Sequence, residues 1–119
     1  MWEHTFVTSQ GSLHGQLQRA IERGNVLQAT ALARQLADEL GGLSLPDALS
    51  LLLLFAEHDP DRFRRAAPRW HARLVLETGD LSLEEAQAAL GALALLPGPL
   101  RPAALELLTS VCREHKITL

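Results

Sequence analysis

Apolar residues recur along this chain at three- and four-residue spacing, and the runs are separated by Pro, Gly, Ser, Asp and Asn where helix caps and stops would fall. The pattern predicts six helices. The first spans about Ser12 to Arg23, with Ser12 as N-cap, Leu13, Leu17 and Ile21 on one face and Gly24 as the stop; Gly15 weakens it. Asn25 caps the second, which carries Val26, Ala29, Ala33, Leu36 and Leu40 inward and ends at Gly41-Gly42. Ser44, Pro46 and Asp47 open the third, whose Leu49 and Leu51 to Phe55 point in every direction, so it should lie between neighbours at the centre of the fold.

Asp59-Pro60 opens the fourth helix, with a stripe of Phe63, Ala67, Trp70 and Leu74 and a stop at Thr78-Gly79. Pro68 inside it predicts a kink near Ala67 or a break into two pieces. Ser82 and Glu85 form a capping box for the fifth, with Leu83, Ala86, Leu90 and Leu93 facing inward until Pro97-Gly98-Pro99. The sixth begins near Arg101-Pro102, buries Ala104, Leu107, Leu108 and Val111, and runs to about Lys116. Leu36, Leu52, Phe55, Trp70 and Leu90 should be buried, and no segment alternates as a strand does.

Leu43 to Ala48 (LSLPDA) matches Leu81 to Ala86 (LSLEEA) at an offset of 38 residues. A period near 40 is usual for stacked helical hairpins, although Ser-x-x-acid caps also recur by chance. The fold expected is therefore all-α, with about six helices as three antiparallel hairpins, in a HEAT-like or α-solenoid-like stack or a compact bundle. Residues 1–11 read as a flexible arm and residues 12–119 as one domain. Trp2 and Phe6 in that arm are able to dock on this domain or on a second copy.

The segment LSLPDALSLLLLFAEHDPDRFRRAAPRWHARL, residues 43–74, resembles HEAT-like helical-hairpin proteins in its layout. More narrowly, it resembles short proteins of high-GC bacteria in which a leucine-rich helix precedes a D-P-x-R-F-x-R-A-A-x-R-W-H-A-R-L helix. The resemblance covers about a quarter of the chain. It implies a helical-hairpin fold and carries over neither a function nor any site residue.

A length of 119 residues with 47% hydrophobic composition suffices for a core without disulfide or metal support, and a formal charge of −3 names no partner. Cys112 is the single cysteine, so an intrachain disulfide is impossible. The first residues lack the basic and apolar regions of a secretory signal, and the longest apolar run, Ala48 to Ala56, is far below the roughly 20 residues of a membrane span. A cytoplasmic protein with no membrane partner is the expectation.

Candidate chemistry is sparse. His4, His14, His58, His71 and His115 fall in five separate segments without metal-ligand spacing, and Cys112 with His115 supplies only two ligands. Glu57, His58, Asp59 and Asp61 cluster at the third turn, where capping and the helix dipole account for the acids. Gly11-Ser12 and Gly41-Gly42 lack the lysine and the preceding strand of a phosphate loop. No enzyme activity, cofactor or metal is expected.

One pattern stands above this background. Arg62, Arg65, Arg69 and Arg73 recur at spacings of 3, 4 and 4 along the fourth helix. Helical geometry sets them roughly 120° from the Phe63, Trp70 and Leu74 stripe. Such a row can pair with the chain's own acids, meet an acidic protein surface, or meet phosphates. The reading preferred from sequence is a non-enzymatic adapter binding an unidentified protein partner, a second copy of itself being one candidate. The alternative is a small nucleic-acid-associated regulator working through the same row, against which the lack of lysine-rich tails and exposed aromatics weighs.

Overall fold

The computed structural model describes residues 12–119. The arm expected over 1–11, with Trp2, His4 and Phe6, lies outside the described residues. Six α-helices and no strand occur among the described residues. They are α1 (Leu13–Glu22), α2 (Val26–Leu40), α3 (Leu45–His58), α4 (Pro60–Thr78), α5 (Leu83–Ala94) and α6 (Arg101–Glu114). The chain divides into two units with the boundary between Leu43 and Ser44.

In the first unit α1 packs on α2. Ser12 caps α1 by accepting from the Gly15 amide at 3.0 Å. The helix closes with paired bonds, Asn25 N–H to the Ala20 carbonyl and Gly24 N–H to that of Ile21, with Gly24 at φ 72°. Asn25 then turns its side chain to cap α2, accepting from the Gln28 amide at 3.0 Å. One residue therefore ends one helix and starts the next, which fixes a tight hairpin whose core is Leu17, Ala20, Ala29, Leu32, Ala33 and Leu36.

The second unit builds from the same devices. Asp59 alone joins α3 to α4: its amide donates to the Phe55 carbonyl at 2.8 Å and its carboxylate accepts from the Arg62 amide at 3.3 Å. From Leu45 to Ala56 every residue of α3 is buried or half-buried, as its all-round leucines require. Phe63, Trp70 and Leu74 of α4 are buried. The Trp70 indole N–H donates to the Leu45 carbonyl at 2.9 Å, tying mid-α4 to the first turn of α3. Burial of the ring is worth about 3–5 kcal/mol by comparison with Trp→Ala losses, against about 1 kcal/mol for the bond, so packing holds the pair and the bond sets the ring's direction. Ser82 and Glu85 form the full capping box of α5. Consecutive helices pack on one another, α3 on α4, α4 on α5 and α5 on α6, and Arg101 at the head of α6 reaches Glu57 at the foot of α3 at 2.8 Å.

Four expectations about these helices need correction. Of the two outcomes expected of Pro68, the break into two pieces does not occur: α4 runs unbroken for 19 residues with Pro68 on its exposed side. The inward face of α5 is Ala89, Ala92 and Leu93, while Leu83 and Leu90, taken as core, are 73% and 50% exposed. The helix is turned roughly 80° from the leucine-based expectation. The physical reason is size: alanines on the buried face let α5 approach its neighbours closely, and leucine count alone does not register that. Leu107 of α6 is 39% exposed and Leu40, the last residue of α2, is 70% exposed, rather than buried. The helix α6 also ends at Glu114, two residues early, because Lys116 adopts φ 65° and Ile117 N–H bonds back to the Cys112 carbonyl.

The 38-residue offset relates core positions as well as caps. Phe55 and Leu93, Trp70 and Leu108, and Leu74 and Cys112 are buried in both copies. Leu45 and Leu52 are buried, whereas their counterparts Leu83 and Leu90 are exposed.

Candidate docking groove

Between α3 and α4 lies an open groove lined by Ala48, Leu51, Leu52 and Phe55 on one wall and Ala66, Arg69, Trp70 and Arg73 on the other. Each wall repeats the spacing i, i+3, i+4, i+7, which is one stripe of a helix over two turns. The floor is apolar and the α4 rim carries two guanidiniums. Its volume is about 150 Å³, the size of a hollow that accepts one benzene-sized group and below the roughly 300–1,000 Å³ of small-molecule sites. A second hollow lies along α6 at Pro102, Leu105, Glu106, Thr109 and Arg113, and residues of one helix alone make it a surface face rather than a site.

The four arginines read from sequence separate into two pairs. Arg62 is matched by Asp59, with Nε 3.0 Å from Oδ2, and its guanidinium stands 6.0 Å from the centre of the Phe55 ring. Arg73 is matched by Glu77, with Nε 2.8 Å from Oε2. Arg65 and Arg69 are exposed and have no hydrogen bond or ion pair among the described residues. A fifth arginine of the helix, Arg64, pairs with Asp61. The row is thus neutralised at its two ends, and its uncompensated charge sits in the middle, on Arg69 at the rim of the groove and on Arg65 one turn before it along α4.

The acidic cluster at the α3–α4 turn serves the fold. Asp59 caps, Asp61 pairs with Arg64, and Glu57 accepts from Arg101, whose guanidinium holds the Glu57 carboxyl below its ordinary value. His71 is half-buried, with Nε2 2.7 Å from the Ala86 carbonyl, and so joins α4 to α5.

One constellation was not legible in the sequence. Just past the end of α6 the His115 ring lies between two carboxylates, Nδ1 at 2.9 Å from Asp80 and Nε2 at 3.0 Å from Glu85. Both ring nitrogens facing acceptors calls for the imidazolium, which donates from both. Glu85 raises the His115 pKa most, with Asp80 adding to it, while the Ser82 amide and then His115 lower that of Glu85. The partners lie 35 and 30 residues away in sequence, so no local spacing reveals them. Neighbouring Cys112 is fully buried, and burial pushes its thiol pKa up. Among the described residues no group of three or more His, Cys, Asp and Glu is placed to hold a metal ion.

No known protein family, curated protein or solved structure matches the chain. No described helix is long and apolar enough to cross a membrane.

Proposed function

We propose that this chain is a non-enzymatic, HEAT-like helical-hairpin module of the cytoplasm that binds a segment of another protein in the groove between α3 and α4. The observation carrying this reading is the groove itself: an apolar hollow too small for a typical substrate, rimmed by Arg69, which is exposed and has no counter-ion among the described residues. A shallow apolar floor with charge at its rim is the anatomy of a protein interface. The serial packing of α3 on α4, α4 on α5 and α5 on α6, with a core that repeats at 38 residues, supports the stacked-hairpin arrangement. A buried thiol at Cys112 suits a reducing compartment.

The nucleic-acid alternative rests on the same helix, and three of the five arginines of α4 already face carboxylates. That leaves few cations for phosphates, which favours a protein partner.

The test is photo-crosslinking in living cells from a benzophenone side chain at position 48 in the groove, with position 87 on α5 as control. Discrete protein adducts from position 48 alone, lost when Ala66→Phe fills the groove with helicity intact, are the expected result. Equal adducts from both positions, or crosslinks to nucleic acid that Arg65→Glu with Arg69→Glu removes, would overturn the reading.

A further inference from the structure

Both walls of the groove are helix middles, and that limits what is able to lie in it. We infer that the groove takes an amphipathic helix of a partner protein, apolar on the face it inserts and acidic along the edge that meets Arg65 and Arg69; this rests on the docking reading above.

The walls dictate the backbone of the occupant. An extended segment gains affinity largely by bonding its amides and carbonyls to a free strand edge, and the residues lining this groove belong to the uninterrupted helices α3 and α4. Their mid-helix amides and carbonyls are spent on intrahelical bonds, apart from the Arg64 carbonyl that Pro68 cannot reach with an amide, and Pro68 stands on the exposed side of α4 outside the groove lining. A helix satisfies its own backbone and needs only side-chain contact from the walls. Eight residues of each wall, Ala48 to Phe55 and Ala66 to Arg73, span seven rises of 1.5 Å, about 10 Å, enough to meet two turns of a third helix. The hollow accepts about one benzene-sized group. One leucine or phenylalanine of the occupant therefore enters it as an anchor, with smaller contacts above and below.

Charge dictates the edge. The α3 wall, Ala48, Leu51, Leu52 and Phe55, has no ionisable side chain. On the opposite wall Arg69 lines the groove, and Arg65 precedes it along α4 at i, i+4 spacing, with no acid paired to either among the described residues, while Arg62 and Arg73 flank them already matched by Asp59 and Glu77. An occupant presenting Glu or Asp on that side gains the Arg69 contact at the rim, and one with Arg65 where it extends a turn further along α4, without displacing an existing pair, and a basic one meets uncompensated like charge. The preference is therefore one-sided across the groove: apolar toward α3, acidic toward the α4 rim.

The experiment is selection from a displayed library of helical peptides of roughly 16 residues, varied on one face, against the whole chain, with Ala66→Phe for counter-selection. Enriched sequences should hold leucine or phenylalanine at i, i+3 or i+4, and i+7, flanked by Glu or Asp. By fluorescence anisotropy, exchanging those acids for lysine should weaken binding about tenfold or more, and a central proline should abolish it. Arg65→Glu with Arg69→Glu should reverse the preference so that the lysine peptide binds better. Enrichment of basic or uncharged faces, binding that survives the proline, displacement of the peptide by a DNA or RNA oligonucleotide, or a groove closed by self-association in sedimentation would each overturn the inference. If no peptide enriches while position 48 still crosslinks to a protein, the occupant class falls and the docking reading stands; loss of both removes both.

Discussion

His115 has the most informative single side chain in the second unit because its charge state is coupled to its geometry. It sits between Asp80 and Glu85, its pKa raised above the ordinary 6.5, and Glu85 lies below its ordinary 4.5. A raised histidine contributes stability that is complete below its unfolded value and disappears as pH climbs through the folded value. A depressed carboxylate contributes above its unfolded value and loses that contribution as pH falls through the folded one. The two overlap between 4.5 and 6.5, so the link from the end of α6 to the α4–α5 turn is strongest in that window. Urea denaturation of the chain and of His115→Gln should show the largest difference in midpoint there, shrinking as the solution is taken to about pH 8.5. A difference that stays constant over that range would mean the ring is held by packing alone.

At the scale of elements, caps were legible and helix rotation was less so. Ser12, Asn25, Ser44, Asp59 and Ser82 all cap where their spacing indicated, because a capping side chain contacts an amide only three residues away and needs no tertiary information. The inward face of α4 was legible for a related reason: Phe63, Trp70 and Leu74 contrast sharply with the arginines around them. In α5 alanine and leucine occur on all sides, and the helix buries the smaller residues because close approach to neighbours outweighs the leucines left at its flank. Pro68 leaves α4 continuous, and it falls on the exposed side, where the Arg64 carbonyl deprived of its amide partner can bond to water. Gly91 lies mid-helix in α5 with nothing within 4 Å of where a Cβ would stand. Gly91→Ala should therefore stabilise the chain by about 0.5–1 kcal/mol through helix propensity and a less flexible unfolded chain, read as a raised denaturation midpoint; a lowered midpoint would show that the site is closed.

For the molecule as a whole, sequence spacing gave the all-helical class and the arginine row, but the groove emerges only when α3 and α4 are set side by side. Ala48, Leu51, Leu52 and Phe55 read in isolation as part of a helix buried all round, and no residue among them announces an opening. The row itself changes meaning once Asp59 and Glu77 are seen to match its ends, because its net positive charge contracts to Arg65 and Arg69. Binding at that place is the central claim, and nuclear magnetic resonance with labelled leucine methyls, Trp indole and Arg side chains reads it directly. Titration with an acidic amphipathic helix should move the Leu51 and Leu52 methyls, the Trp70 indole N–H and the Arg69 Nε–H together and saturably, with Leu83 and Leu90 unchanged. Saturable shifts centred on Leu83 and Leu90 with the α3–α4 signals still would contradict it.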